Sequence, residues 1–371
     1  MNKIFAFLAC AFFVANLATV HSKPPEFIGK FNAQMKARFE AAFSTVEEIN
    51  GAEAGWEAEF YPRFAQMSPE ERRAMNGLKF GEKKILFKNH PETPMQIRHE
   101  DLPEEFDPRK RWPECAEVFA NIRDQSRCGD CWAVAAAGAL SDRICIHSKG
   151  KMRLSISDID VASCAASQAN EANDGCTGAK DLLPAWNYFH QNGAVTGSNY
   201  KEQTGCKPYP FLPAKEAKVD YHTPECAKKC TNEKYEKEYE QDKIRVGQPI
   251  SLYSEDWKKV EHLIKQEVFV NGSVEVGFMV YADFYYYSKG IYKQTSRKEE
   301  GGHAVRLVGW GTDNGTPYWL IANSWGPEWG ENGFFRIKRG SNEAHIEEMT
   351  VPYAGMPILA KGGGGGADGR E

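Results

Sequence analysis

Cys131 stands where a polar run gives way to an alanine-rich stretch, in Gln125-Ser126-Arg127-Cys128-Gly129-Asp130-Cys131-Trp132-Ala133. A thiol at a helix N-terminus sees the positive end of the helix dipole and free backbone N–H groups, and both favour the thiolate. That makes Cys131 a candidate nucleophile. A thiolate needs an acid–base partner, and Gly301-Gly302-His303-Ala304-Val305 offers a histidine beside two glycines at the head of a strand. Asn323, in Asn323-Ser324-Trp325-Gly326, can present its side-chain carbonyl to orient that ring, with Trp325 shielding the bond from water. Gln125, six residues before the thiol, can donate its amide N–H to an oxyanion. The same cysteines have plainer readings. Cys128 and Cys131 could form a thioredoxin-like redox pair, but no βαβ pattern surrounds them. They could form half of a zinc site with Cys226 and Cys230, but that separation is far from finger spacing. Neither a metal nor an organic cofactor is expected.

The cysteine count singles out one thiol. There are ten cysteines, nine of them between residues 115 and 230, and Cys10 lies in an N-terminal apolar run. Met1-Asn2-Lys3, the run Ile4 to Val20 broken only by Asn16, and the exit His21-Ser22-Lys23 have the layout of a secretory signal peptide. As a membrane anchor the run is shorter than the ~20 residues a span needs. Removing it leaves nine cysteines, and an odd number in an oxidising compartment leaves one spare.

These residues have to be positioned by something large. The 371 residues, 42% hydrophobic and 26% charged, supply a sizeable core and exclude a disordered, collagen-like or coiled-coil body. A net charge of −5 argues against nucleic acid as the main partner. Residues 23 to 101 carry no cysteine and contain helix-like blocks, Phe31 to Ile49 and Pro69 to Met75 behind the cap candidate Ser68. Such a block ahead of a cysteine-rich body suggests a separable pro-segment, the alternative being an ordinary small domain. Cys131 to Ile146 predicts a helix buried nearly all round, and Trp186 to Phe189, ending at Gly193, a second. Residues 206 to 243 suggest a long surface loop pinned by cysteines. From about residue 246 short β-type runs follow: Val274 to Tyr281, Ala304 to Gly309, Pro317 to Ala322 and Gly333 to Lys338. Helices first and strands later imply two unlike lobes with a cleft between them.

Taken with Leu102-Pro103-Glu104-Glu105-Phe106-Asp107, Ser141-Asp142-Arg143-Ile144-Cys145-Ile146-His147, Gly309-Trp310-Gly311 and Asn314-Gly315-Thr316-Pro317-Tyr318-Trp319, the motifs resemble the papain family of cysteine proteases, its cathepsin B branch most closely. The similarity runs from about Leu102 to Met356. His303 and Asn323 follow Cys131 by 172 and 192 positions. That exceeds the ~130–150 of the papain spacing by what a cathepsin B-like insertion adds. The resemblance implies an α+β, papain-like two-lobed fold with a helical left lobe, a β-barrel-like right lobe and the active-site cleft between them. It implies peptide hydrolysis through an acyl-enzyme on Cys131, with His303 as acid–base, Asn323 as orienter and Gln125 as oxyanion donor. Gly129, Gly178, Trp325 and Ala304 would line the substrate cleft, and Glu347 would sit at the floor of the pocket for the second residue before the scissile bond (P2). The family pairing would be Cys115–Cys145, Cys128–Cys176, Cys164–Cys226 and Cys206–Cys230, leaving Cys131 free.

The implied organisation is a signal peptide over 1–22, a propeptide over 23–101 and a peptidase domain over 102–360, with a Gly-rich disordered tail over 361–371. Within the peptidase domain the helical lobe would run from about 112 to 245 and the β lobe from about 246 to 350. Partners would be peptide and protein substrates, the chain's own propeptide as inhibitor, and cystatin-like inhibitors, in the secretory pathway, lysosomal or extracellular. Asn271 and Asn314 lie in glycosylation sequons, Asn271 being preferred because it falls in a predicted turn.

The sequence departs from the family pattern beside the nucleophile, at Ser126, Arg127 and Asp130, and at Ala179 and Lys180 beyond Gly178. Asp130 would cap the catalytic helix while its charge opposes the thiolate. The loop Lys207 to Glu225 lacks the family's internal disulfide and paired histidines, keeping only His222. An endopeptidase is therefore expected, the alternative being a protease-like binding protein with reduced or lost turnover.

Overall fold

The computed structural model describes residues 32–79, 93–166, 175–219 and 221–359. The predicted signal peptide and Gly-rich tail lie outside these residues. The N-terminal segment opens with α1 (Ala33–Gly51), capped by Asn32, and continues through α2 (Pro62–Gln66) to α3 (Pro69–Met75). Ser68 and Glu71 close a reciprocal capping box at the start of α3. Two short helices, α4 (Pro108–Arg111) and α5 (Ala116–Ala120), then lead to α6 (Cys131–His147). Every residue of α6 from Cys131 to Ile146 is buried, the small and apolar ones by packing and Asp142 and Arg143 through ion pairs. It packs against α7 (Asp158–Ala166) and, with it, α8 (Leu183–Gln191).

The other lobe is built on strands. The short ladder β2 (Ser155–Ile156) with β3 (Thr196–Gly197) belongs to the helical side, and β4 (Arg245–Val246) pairs with β12 (Pro357–Ile358). The main sheet holds β1 (Trp56–Ala58), β5 (Ile250–Ser251), β6 (Val274–Tyr281), β7 (Tyr287–Tyr292), β8 (Glu299–Asp313), β9 (Thr316–Ala322), β10 (Phe334–Lys338) and β11 (Tyr353–Ala354). Its order is β1-β7-β10-β9-β8-β6-β11-β5, so among the described residues the ladder is open, not a closed barrel. β1 comes from the N-terminal segment and adds antiparallel to β7.

The reading of residues beyond 246 as strands overlooked α9 (Trp257–Asn271). Its Val260, Leu263, Ile264 and Val268 recur at helical spacing and are all buried, Asp256 caps it, and Gly272 ends it at φ +100°. Asn271 therefore closes a helix instead of sitting in a turn. Its amide donates to Glu267, and Ser273 of the same sequon is fully buried against Asp142. Asn314 is exposed in the β8–β9 turn, so accessibility favours it over Asn271.

The four disulfides are Cys115–Cys145, Cys128–Cys176, Cys164–Cys226 and Cys206–Cys230. Cys164–Cys226 pins the irregular stretch between residues 206 and 238 to α7, and Cys206–Cys230 closes a loop within it. Cys131 is free and buried. No helix among the described residues is long and apolar enough to cross a membrane.

Two buried ion pairs register the lobes. Arg306 of β8 reaches Asp142 of α6 at 2.6 Å and donates also to Phe119 O and Asn121 O. Arg143 of α6 pairs with Glu267 of α9 at 2.8 Å and donates to Gly272 O and Ser273 O. Removing one member of such a pair strands the other charge out of water, which typically costs about 3–5 kcal/mol. Arg306→Met should therefore destabilise the fold by roughly that amount in denaturant unfolding, because Asp142 is left buried and unpaired. A loss under about 1 kcal/mol would show that the pair does not pin α6 to β8.

Candidate active site

α6 places Cys131 at its first turn and β8 carries His303 opposite, both fully buried. Nε2 of His303 lies 2.8 Å from Oδ1 of Asn323, which also accepts from the Ser324 N–H. The Trp325 ring packs over the imidazole at 5.0 Å between centroids. Nδ1 of His303 is buried without a hydrogen-bond partner among the described residues, as suits a nitrogen kept for the thiol. Sγ of Cys131 accepts from the Ala304 N–H at 3.4 Å. Gln125 is fixed by Ser324, whose hydroxyl donates to its Oε1 at 2.6 Å, while its amide donates to Cys128 O at 2.8 Å and to Met75 O at 2.9 Å.

Met75 belongs to the N-terminal segment, which fills the cleft. Phe64 packs on Tyr285 and Trp325, α3 lies over the dyad, and Asn76 donates to Tyr285 Oη and Glu300 O. Residues 77–79 then join both walls. Ala179 N–H donates to Gly77 O, Leu78 N–H to Gly302 O, and Lys79 N–H to Ala179 O, at 2.7 to 3.0 Å. A Cβ on Gly77 would fall 1.7 Å from Gly129 O, and one on Gly178 would fall 2.2 Å from Gly77 O. Three glycines thus permit backbone to lie on backbone directly beside the thiol. Gly129 and Gly178 meet the bound segment, and Ala304 meets the sulfur.

Burial under this segment sets the charge state of the dyad. Desolvation pushes the Cys131 thiol up to about 12, against the Ala304 and Gly77 N–H groups that lower it. Desolvation pushes His303 down to about 4, opposed by its bond to Asn323. Burial therefore favours the neutral form of both groups.

Two expected roles change. Glu347 does not present its carboxylate at the floor beneath the bound chain. It accepts from the Trp319 indole N–H and the Gly340 and Asn342 N–H groups at 2.6 to 3.0 Å, holding the turn after β10. The side chains of Leu78 and Thr350 instead meet over Gly277, 2.5 Å and 2.8 Å respectively from where a Cβ on it would stand. A glycine inside a strand pattern is the signal that could have marked this close approach.

Asp130, in turn, makes no side-chain cap to α6. Tyr209 Oη lies 3.0 and 3.2 Å from its two oxygens and 2.9 Å from Gln125 O. The one Tyr209 hydroxyl proton is shared between Asp130 and Gln125 O. Burial pushes the Asp130 carboxyl up to about 8, opposed by the bond that Tyr209 donates to it. Tyr209, which positions the nucleophile loop, carries no signal in the sequence that would have nominated it.

Residues 102–354 match the model of the papain family cysteine proteases. A cathepsin B-like cysteine proteinase 4 of Caenorhabditis elegans is 41% identical over 324 residues, covering 84% of this chain and 91% of its own. A cathepsin B-like cysteine proteinase of Schistosoma japonicum is 38% identical over 309 residues, covering 81% and 86%. Among solved structures, procathepsin B S9 of Trypanosoma congolense superposes with a TM-score of 0.68 at 30% identity, covering 85% of this chain and 97% of that one.

The state of Asp130 is open to measurement. A carboxyl raised to about 8 in the fold takes up a proton that the unfolded chain holds only below about 4, so its contribution to stability falls as pH rises between those values. Asparagine does not titrate. Asp130→Asn should match the natural protein in thermal unfolding near pH 4 and exceed it progressively towards pH 8, by an amount on the order of several kcal/mol. A gap that stays constant across pH 4, 6 and 8 would refute a protonated Asp130.

Proposed function

The chain belongs to the papain family of cysteine proteases and is a cathepsin B-like cysteine peptidase, and on that premise we propose that Cys131 is its nucleophile and His303 its acid–base group. Asn323 holds the ring and Gln125 stabilises the oxyanion. The observation that carries this assignment is that Gln125 already donates to a backbone carbonyl, Met75 O, while the Gly77 and Ala304 N–H groups meet the sulfur. In the open cleft the sulfur attacks the scissile carbonyl carbon, and the leaving amine departs with the proton that His303 carries. Water, deprotonated by His303, then hydrolyses the thioester.

In this reading residues 23–101 are a propeptide acting as inhibitor, and cutting near Leu102 frees the enzyme spanning 102–360. Latency follows from desolvation of the dyad as much as from blockage. The sign of its acid dependence follows as well. His303 is depressed to about 4 under the segment and returns towards its ordinary value of about 6.5 when water enters. The open state therefore binds the extra proton, and docking loses stability as pH falls from about 6.5 to about 4. Glu71 and Glu300 pair with Arg127 and Arg73 across the same interface.

We further infer endopeptidase action. In the loop 207–225, Lys215 is taken by Glu328, and Lys218 and His222 are exposed without a disulfide brace inside the loop. A free C-terminal carboxylate would find no firm cation there. The residue over Gly277 and Thr350 should be aliphatic, as Leu78 is. Four disulfides beside one free thiol support residence in the secretory pathway, lysosomal or extracellular. Cystatin-like inhibitors are the partners such an open cleft would meet.

A thiol-directed epoxide should label the cut enzyme stoichiometrically at Cys131 and the uncut chain slowly at the same pH. Cys131→Ala and His303→Ala should abolish hydrolysis with folding intact, and Asn323→Ala should cost less. Turnover surviving Cys131→Ala, or equal labelling of cut and uncut forms, would remove the assignment. For the cleavage mode, two peptides with one scissile sequence are compared, ending two residues after the bond in a free acid or an amide. Similar kcat/KM is expected, and strong preference for the acid would establish exopeptidase action instead.

A further inference from the structure

Arg127 occupies a position beside the nucleophile where the family pattern has no charge, and its surroundings show what it holds. Its guanidinium lies 3.2 Å from the Glu71 carboxylate of α3, the only ion pair it makes among the described residues. Its side chain is 12% exposed even with the segment in place, and its Nε is buried without a partner. The backbone that carries it is fixed. Ser126 donates to Leu212 O at 2.5 Å, Asp124 accepts from the Ser126 and Ala214 N–H groups, and the Tyr221 N–H donates to Arg127 O. The backbone beneath the guanidinium is thus held independently of α3, and the guanidinium loses its counter-charge when α3 leaves.

The bound segment also shows on which side of the nucleophile this happens. Met75 O takes the Gln125 amide, so it marks the oxyanion position. Onward from there, Gly77 to Lys79 run between Ala179 and Gly302, with Leu78 over Gly277, along the wall that Gly129 and Gly178 share. Glu71 lies one helical turn back, on the opposite side of Met75. If Gly129 and Gly178 line the acyl half of the substrate, Arg127 faces the leaving-group half.

We propose that Arg127 is a specificity-determining residue that binds a carboxylate on the leaving-group side of the substrate, in the place Glu71 holds in the latent chain. The chemistry is a guanidinium–carboxylate contact in a partly desolvated wall, stronger than a surface pair. Two sources carry that group: an acidic side chain shortly after the scissile bond, or the free C-terminus of a peptide cut close to its end. The proposal rests on Cys131 being the nucleophile and on the cleft orientation above.

The test uses the full chain, activated by cleavage, on internally quenched peptides identical except for Glu or Gln at each of the first three positions after the bond. A second pair ends in a free acid or an amide. At one or more positions, or at the free C-terminus, the carboxylate form should be preferred by about tenfold in kcat/KM, the value of a charge-assisted hydrogen bond. Raising salt should shrink the ratio. In Arg127→Ser it should fall to about one, and in Arg127→Lys it should be partly kept. Because each figure is a ratio within one protein, a general loss of activity cancels. Preference for Glu identifies a side-chain subsite and leaves endopeptidase action standing. Preference for the free acid alone supports the carboxylate site while overturning the endopeptidase reading. A ratio near one throughout the natural enzyme, or one that Arg127→Ser leaves unchanged, overturns the proposal. Failure to cleave any of the peptides, with Cys131 unlabelled by the epoxide, would instead count against the nucleophile assignment and withdraw this proposal with it.

Discussion

The contact between α6 and β8 is the constraint on which the rest of the molecule depends. A helix contributes the sulfur and a strand of the opposite lobe contributes the imidazole, so neither lobe alone holds a site. Asp142 and Arg306 join these two elements inside the protein, where unpaired charge is expensive and the geometry is correspondingly fixed. Gly138 makes the approach possible, since a Cβ there would stand only 3.2 Å from the Arg306 side chain. The dyad lies about three turns of helix from Asp142, at the end of α6 where the dipole is positive. A buried ion pair does not have to add net stability to serve this purpose. It has to make one register much better than its neighbours.

On that frame the N-terminal segment acts through water more than through reach. It adds β1 to the edge of the sheet, packs Phe64 on Tyr285 and Trp325, and lays glycine backbone over the sulfur. The dyad of this chain is neutral when dry, with the thiol at about 12 and the imidazole at about 4. Burial is the largest cause of both shifts, so in the proposed mechanism the event that clears the cleft also relieves both.

Much of this was legible in the sequence, for reasons that can be given residue by residue. α6 declared itself through its alanine-rich, largely apolar composition. α3 did so through Ser68, since local capping chemistry needs no tertiary context. Cys131, His303, Asn323 and Gln125 stand in motifs whose residue types have few other uses together. What stayed hidden depends on contacts between distant segments. Thr350 and Gly277 meet under Leu78 only once three separate parts of the chain are folded together. Glu347 had the right charge and neighbourhood, yet three N–H donors claim its carboxylate for the turn that bears it. α9 was lost inside a region whose β-branched and aromatic residues suggested strands, although Val260, Leu263, Ile264 and Val268 carried the helical period.

The departures beside the nucleophile make physical sense only as a group. A charged Asp130 next to Cys131 would oppose the thiolate, and burial of the carboxyl, against the bond Tyr209 donates to it, favours its neutral form. Tyr209 comes from the loop that lost its disulfide and paired histidines. The same loop meets the nucleophile loop again through Leu212 and Ala214, and once more through Tyr221. Its remaining order is thus borrowed from the loop carrying Gln125 and Arg127, with Phe211 stacked on Tyr221 at 4.2 Å to hold the two ends together. Ser126 can make its bond to Leu212 because its backbone lies at φ +57°, a conformation that would be easier for glycine but would then lack the hydroxyl. The loop 207–225 in this way braces the loop carrying Gln125 and Arg127. On the proposal that Arg127 binds a substrate carboxylate, a braced wall whose guanidinium gives up Glu71 selects by charge more than by shape.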